Sequence, residues 1–363
     1  MSFDELEAHI IGRVAAYRVE YRAYVERQVR RTDRTIKPLD ADPRVILVPG
    51  VGLITAGSTS KAADVTADLY EHTIEVIRSA ESVGRYEPVG EDDLFDMEYW
   101  SLEQAKLARS EPGPMQGRVV YITGAAQGIG RATARAFAKA GASLFLVDLN
   151  PEVGSVAAEL GCAYGVLDVC DDEAVQSSFE AMIATYGGVD GVVSNAGTAP
   201  QADIGTCTAA QLLASLQINL LAHQSVASRA VTVFRQQAQG GFLLFNASKA
   251  ALNPGKNFGP YAIAKAGLIA LMKQHALEGG PAAIRSSAVN ADRIRTALLP
   301  EEMVRERAAA RGLHVDAYFR SNLLGREVTA DDVAQAFLYL ALAPSTTGAI
   351  LTVDGGNIAA SVR

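Results

Sequence analysis

"VVYITGAAQGIGRATARAFAKAGASLFLVDL" (residues 119–149) begins as an unbroken apolar run, turns through Gly124, Gly128 and Gly130, continues as an alanine-rich stretch, and closes on a second apolar run that ends at Asp148. The apolar runs read as buried strands and the alanine-rich stretch as a helix, giving strand, glycine turn, helix, strand. A glycine cluster in that setting has a physical purpose. It lets the backbone approach a pyrophosphate, whose charge is met by free N–H groups and the positive end of the helix dipole. Asp148 lies where a carboxylate accepts both hydroxyls of an adenosine ribose and repels a 2′-phosphate, which favours NAD over NADP. Arg131, beside the loop, softens that preference.

Working outward, β runs and helical runs alternate from Arg118 to the C-terminus. RVVYIT, SLFLVDL, AYGVLD, GVVSNAG, GFLLFNAS, IRSSAVN and AILTVDGG are the strand candidates, each separated from the next by a helical stretch. Alternation of this kind with unbroken apolar strands predicts an α/β fold, a doubly wound parallel sheet covered by helices on both faces. Residues 1–113 read differently. Leu6, Ile10, Val14, Tyr17, Tyr21 and Tyr24 recur at helical spacing over the first thirty residues, "RVILVPGVGLITAG" (44–57) reads as two short β runs around a Pro-Gly turn, and 58–80 as a capped helix. An acidic connector over 87–96, a helix over 98–109 and a linker "EPGPMQG" at 111–117 complete a small α+β appendage, with the boundary to the second domain, 114–363, at the linker.

The composition excludes several classes. The chain has 363 residues, 49% hydrophobic and 20% charged, with a net charge of −8, which is a globular profile and gives no nucleic-acid surface. The basic run Arg27, Arg30, Arg31 and Arg34 reads as a solvated helix end. No apolar run is long enough for a membrane span and the N-terminus is too acidic for a signal peptide, so a cytoplasmic protein with no membrane partner is expected. Cys162, Cys170 and Cys207 have neither disulfide nor zinc-site spacing and read as buried small residues. The five histidines (9, 72, 223, 275 and 314) include no closely spaced pair, so no metal site is expected.

"GPYAIAKAG" (259–267) sets Tyr261 one helical turn before Lys265, so both side chains project from one face. A phenol with a reference pKa of about 10 is a poor acid–base group at neutral pH unless a neighbouring ammonium favours its anion. The pair is therefore a candidate proton-transfer site.

These motifs together resemble the short-chain dehydrogenase/reductase family over residues 117–363. T-G-x-x-x-G-I-G at 123–130 (Thr123, Gly124, Gly128, Ile129, Gly130) matches the family's cofactor loop, Asp168 and Val169 in "LDV" its adenine contact, and Asn195, Ala196 and Gly197 the strand end that steadies the cofactor pocket. Asn219 in "INL", Ser248 in "NASKA", Tyr261 and Lys265 fall where the family keeps its catalytic tetrad, and "LTVDGG" (351–356) matches its last strand. The resemblance implies a Rossmann-like fold, NAD as cofactor, and alcohol–carbonyl interconversion. In it Ser248 would hold the substrate oxygen, Tyr261 transfer the proton, Lys265 lower the tyrosine's pKa and hold the nicotinamide ribose, and Asn219 position a water. It also implies a small-molecule substrate, a homodimer or homotetramer, and a variable helical lid, here about 297–325. One departure stands out. In "VNADRIRT" (289–296) Ala291 and Asp292 replace the family's usual Pro-Gly, although Thr296 fits its cofactor-contacting threonine. The change brings Arg293 and Arg295 to the substrate mouth; an extended segment lets at most one of them face the cleft, where it would suit an anionic substrate.

Residues 44–77 are similar to the closing strand–turn–helix of class II aldolase/adducin domains. The whole chain thus resembles the C-terminal part of the bifunctional aldolase/short-chain dehydrogenases of rhamnulose-phosphate breakdown, with most of an aldolase domain and its metal-binding histidines missing. Residues 1–113 then read as a packing or oligomerisation module. Two functions stay open: an NAD-dependent oxidoreductase acting on a sugar-derived aldehyde, polyol or hydroxy acid, and a catalytically weak NAD-binding scaffold or sensor, for which the altered "VNADRIRT" turn is the support.

Overall fold

The computed structural model describes residues 2–102, 112–296 and 298–357. The chain divides into two compact units, Met1–Pro112 and Gly113–Arg363.

In the first unit a helix runs over Phe3–Thr32, started by a capping box between Ser2 and Glu5. β1 (Val45–Val48) and β2 (Gly52–Thr55) form an antiparallel hairpin, and the Ser60–Val83 helix follows with the Thr59 hydroxyl on its first turn. Residues 91–96, within the connector expected over 87–96, belong instead to a helix over Glu91–Glu98. Its first turn carries Glu91, Asp92 and Asp93, and negative charge there complements the helix dipole. Acids of this helix meet three of the four arginines of the basic run, which is not merely solvated: Arg27 pairs with Glu91, Arg31 with Asp92, and Arg34 with Asp96 at 3.1 Å. Beneath them Tyr24, Val25, Phe95 and Tyr99 form a small core, and the Tyr21 hydroxyl donates to Glu98 at 2.8 Å. Most of the helix expected over 98–109 lies outside the described residues.

The second unit is a seven-stranded sheet in the order β5-β4-β3-β6-β7-β8-β9, parallel throughout. The strands are β3 (Val119–Thr123), β4 (Ser143–Asp148), β5 (Ala163–Val166), β6 (Gly191–Ser194), β7 (Gly241–Asn246), β8 (Ile284–Ala291) and β9 (Ile350–Val353). Period-two alternation sorts the core into two layers. Val120 and Ile122 face Phe137 and Phe337 on one side, while Tyr121 packs with Phe145 and Phe179 on the other. Both faces are therefore buried, as unbroken apolar strands require. Met115, part of the expected linker, is 2% exposed and belongs to this core. The three cysteines are free and half-buried, less enclosed than expected.

The order reverses at β3, which leaves a crevice at its carboxyl end between the connections to β4 and β6, the place where such sheets bind ligands. Gly130 makes the crevice possible. A Cβ on it would lie 1.9 Å from the Gly124 carbonyl oxygen, so only glycine lets the Gly128–Lys139 helix seat on the strand end. Gly130→Ala is expected to cost about 1–3 kcal/mol through overpacking, read as a lower urea midpoint at unchanged slope; an unaltered midpoint would show that the helix can move away freely.

Candidate functional site

A trough of about 560 Å³ opens along the carboxyl ends of β3, β4 and β6. Gly124, Gly128, Ile129, Asp148, Asp168, Val169, Asn195, Ala196, Gly197 and Thr296 all line it. Thr123 and Gly130 stand behind the wall as supports. The Thr123 hydroxyl accepts from the amides of Asn195 at 2.8 Å and Ala196 at 3.0 Å. Asp148 is oriented by two backbone amides, that of Ala126 in the glycine turn on one oxygen and that of Asn150 on the other, each at 2.9 Å. A carboxylate has about four acceptor positions, so two remain for hydroxyls.

The trough suits an extended ligand with phosphates at its middle. No side chain caps the Gly128–Lys139 helix and no acid occupies its first turn, so its leading amides face the trough unpaired by side chains. Gly128 sits at φ +54°, and a Cβ there would meet the Thr296 side chain at 3.0 Å. The glycine thus keeps open the space over which a pyrophosphate would pass. Donor set, acid and shape fit a dinucleotide.

A second cavity of about 140 Å³ adjoins the trough at Ile129, Ala199, Asn246, Thr296 and Leu298, and contains Ser248 and Tyr261. Pro260 at the first turn of the Gly259–Gly279 helix starts that helix and delivers Tyr261 to the cavity wall. Burial raises the phenol's pKa; hydrogen bonding with Ser248 pulls it down, and the nearby charge of Asp292 raises it further. Lys265, one turn on, lines neither cavity. It is 3% exposed, its Nζ donates to the Asn246 carbonyl at 2.8 Å and stands 6.0 Å from the Tyr261 ring centre, and burial pushes its pKa down to about 7. Asn219 is wholly buried on a single π-helical turn, Gln217–Leu221, between two α-helices. Its Oδ1 accepts from the Thr198 amide at 3.2 Å. A Cβ on Gly197 would lie 2.8 Å from that oxygen and 3.6 Å from the Lys265 Nζ, so the missing side chain leaves one small space bordered by both groups.

The model described as enoyl-(acyl carrier protein) reductase matches residues 124–357, and that of the class II aldolase second domain matches residues 1–107. The uncharacterized oxidoreductase YuxG of Bacillus subtilis is 33% identical over 96% of this chain, which spans about half (53%) of that protein's length. The mitochondrial (-)-isopiperitenol/(-)-carveol dehydrogenase of Mentha piperita is 32% identical over 67% of this chain and 94% of its own. The crystal structure of carveol dehydrogenase from Mycobacterium avium in complex with NAD superposes with a TM-score of 0.63 at 25% identity, covering 68% of this chain and 99% of that one. The chain belongs to the short-chain dehydrogenase/reductase family.

In the cofactor-free chain burial raises the Tyr261 phenol and lowers the Lys265 ammonium, which is turned to the Asn246 carbonyl. Of the arginine pair, one lines the cavity. Arg295 points outward to Glu327 and Asp316, while Arg293 lines the cavity but donates to the Tyr318 carbonyl at 2.9 Å, stacks on that ring, and has Asp292 at 3.4 Å. Neither offers an unpaired charge.

The sequence reading passed over Asn246. Its Nδ2 donates to Asn195 Oδ1 at 2.8 Å and its carbonyl holds Lys265, so one residue joins the trough to the tetrad. The signal was present in "NAS", two positions before Ser248. His223, also without an assigned role, is buried with its Nδ1 2.6 Å from the Ser194 hydroxyl, and burial holds its pKa well below the usual value. Among the described residues no cluster of His, Cys, Asp or Glu could hold a metal ion, and no helix is long and apolar enough to cross a membrane.

The buried lysine makes a pH prediction. Its folded value near 7 lies below the ordinary 10.5, so between the two the unfolded chain binds the extra proton and stability rises with pH. Relative to Lys265→Met, the cofactor-free protein is expected to gain stability on the order of a few kcal/mol from about pH 7 to pH 10. Urea titrations at both pH values measure it; parallel behaviour of the two proteins would mean Lys265 is not desolvated.

Proposed function

We propose that this chain is an NAD(H)-dependent oxidoreductase interconverting a small alcohol and the corresponding carbonyl compound, a sugar-derived aldehyde, polyol or hydroxy acid. The observation that carries the reading is the adjacency of Ser248 and Tyr261, in one cavity, to a trough with the donors and the acid that a dinucleotide needs. When bound, the nicotinamide supplies hydride acceptance or donation at its ring. The protein's own work is acid–base and positional. Ser248 donates to the substrate oxygen and orients it toward Tyr261, whose phenol takes or returns the hydroxyl proton. Lys265, hooked on Asn246, carries a proton that exchanges near neutrality. Asn219 borders the same small space through Gly197 and holds the water that links the lysine to solvent. Asp148 accepts the adenosine ribose hydroxyls and disfavours a 2′-phosphate. Residues 297–325, with helices Glu301–Ala309 and Val315–Arg320, form the lid, and an anionic group on the substrate is the finer reading.

A second reading, a catalytically weak NAD-binding scaffold or sensor, draws support from Asp292, whose charge raises the Tyr261 phenol further. One experiment separates the two. Tyr261→Phe should bind NAD as the parent does, with NADP weaker for both proteins, while losing roughly 10²–10⁴-fold in turnover across a panel of polyols, hydroxy acids and aldehydes. Equal turnover by parent and variant would remove Tyr261 from the chemistry; NAD binding by a parent without turnover on any member of the panel favours the scaffold.

For residues 1–113 we propose a role in assembly of a homodimer or homotetramer. The Ser60–Val83 helix buries none of its residues, and it exposes Val65, Leu69 and Val76, as the hairpin exposes Leu47 and Ile54. Sedimentation of the full chain against a chain lacking 1–113 is expected to show a smaller assembly for the shortened protein. The same assembly in both would discard the role.

A further inference from the structure

The cavity that contains Ser248 and Tyr261 is unevenly charged. Its lining includes Lys249, Arg293, Arg307 and Arg311, against Asp292 as the one carboxylate among the described lining residues. Asp292 accounts for the first two, standing 3.9 Å from the Lys249 Nζ and 3.4 Å from the Arg293 Nε. Arg305, on the outer side of the same lid helix, pairs with Glu301 at 2.8 Å. Arg307 and Arg311 have no ion pair with any described residue.

Their placement is specific. Four residues apart, they share one face at the end of the Glu301–Ala309 helix and the turn that follows it. The Arg307 guanidinium lies 4.1 Å over the Phe258 ring, and Phe258 packs edge-on against Tyr261 at 5.9 Å. Arg311 stands 5.5 Å over Tyr318, and its Nη1 donates to the Arg307 carbonyl at 3.0 Å. Each guanidinium lies against an aromatic ring; Arg307 has no hydrogen-bond partner for its N–H edge among the described residues, Arg311 keeps the N–H groups other than the bonded Nη1, and such an edge binds a planar oxyanion through two parallel hydrogen bonds. Two like charges at this spacing repel by a few tenths of a kcal/mol, which a bound anion reverses.

We propose that Arg307 and Arg311 form a carboxylate subsite in the substrate cavity, so that the substrate is a small hydroxy acid and its partner the oxo acid; this rests on the oxidoreductase reading above and selects among its substrate classes. The planar fork of a guanidinium matches the two coplanar oxygens of a carboxylate, and the phosphate arm of the test below separates that group from a phosphate ester. A polyol offers the pair no charge to balance theirs.

The test uses the full chain without cofactor, and calorimetry rather than turnover, so that its outcome is independent of catalysis. The probes are lactate, glycerate, 3-hydroxybutyrate and 4-hydroxybutyrate, each beside its neutral amide of nearly the same shape, with inorganic phosphate as a further arm. At least one acid is expected to bind roughly 10- to 100-fold more tightly than its amide, the range for hydrogen bonds to a charged group. Arg307→Met and Arg311→Met should each erase most of that preference while leaving the amide within about twofold, Arg307→Lys should restore part of it, and Arg305→Met should change nothing. Melting temperatures and NAD titration of every variant check the fold; loss of NAD binding by the parent would count against the oxidoreductase reading, not against the subsite. The proposal is overturned if no acid outbinds its amide, if the preference survives in both Met variants, or if phosphate binds more tightly than every acid.

Discussion

The Asn195 side chain is the cross-strand tie on which the rest of the site depends. Its Nδ2 donates to the carbonyls of Thr123 at 2.9 Å and Gly124 at 3.1 Å, and its Oδ1 accepts from Asn246 at 2.8 Å. Three strands end at this point, β3, β6 and β7, and a parallel sheet has no ladder bonds left to fix where their ends turn. A half-buried amide with four possible bonds, three of them made, supplies that constraint. From it the glycine turn takes its path, because Gly124 is held from above while Gly130 allows the helix in from below. The Asn246 carbonyl is likewise aimed at Lys265, so trough and proton-transfer groups share one frame of reference.

That frame also sets the electrostatics. Lys265 and Tyr261 are both buried, and burial disfavours charge on each: the ammonium's pKa falls and the phenol's rises. Without cofactor the charged form of each is therefore disfavoured, in keeping with the cost of burying an isolated charge. Ser248 provides the one stabilising influence on the phenolate, and Asp292 opposes it. The groups are in place, but their proton affinities are those of a dry pocket. Any charge that enters the trough acts on them strongly because so little water screens it.

The fold was legible because its signal is redundant. Seven apolar runs, each long enough for one strand, and a glycine turn at the first crossover leave few alternatives to a doubly wound sheet. Of the trough-lining residues, Gly124, Gly128 and Asp148 were legible from the strand–glycine turn–helix–strand pattern, while Asp168, Val169, Asn195, Ala196, Gly197 and Thr296 came from the resemblance to a family. Other features left no local trace. The π-helical turn at Asn219 comes from "QINLL", which has the periodicity of any helix, and only packing against Gly197 and Lys265 gives the extra residue a reason. The helix over Glu91–Glu98 was hidden by its acidity, which reads as a solvated connector until the arginines of the Phe3–Thr32 helix are seen to meet it. The lid arginines were hidden because mixed charge along "EEMVRERAAAR" says nothing about which side chains already have partners.

Asp292 shows how a departure in sequence changes what holds a turn. A Pro-Gly pair fixes a turn through backbone stiffness followed by freedom at positive φ. Here Arg293 occupies φ +49°, a left-handed conformation that costs a non-glycine residue about 1–2 kcal/mol. The surrounding contacts offset it: the Arg293 guanidinium stacks on Tyr318 and bonds the Tyr318 carbonyl and Ser321, while Asp292 gathers Arg293, Lys249 and Asn357 from three segments. The turn is thus held by charge and hydrogen bonds rather than by ring closure. The side chains of Arg293 and Asp292 are only 14% and 16% exposed, so salt screens this arrangement far less than a surface pair. The same carboxylate is spent on Arg293 and Lys249, and for that reason it leaves Arg307 and Arg311 as the cavity's unbalanced charge.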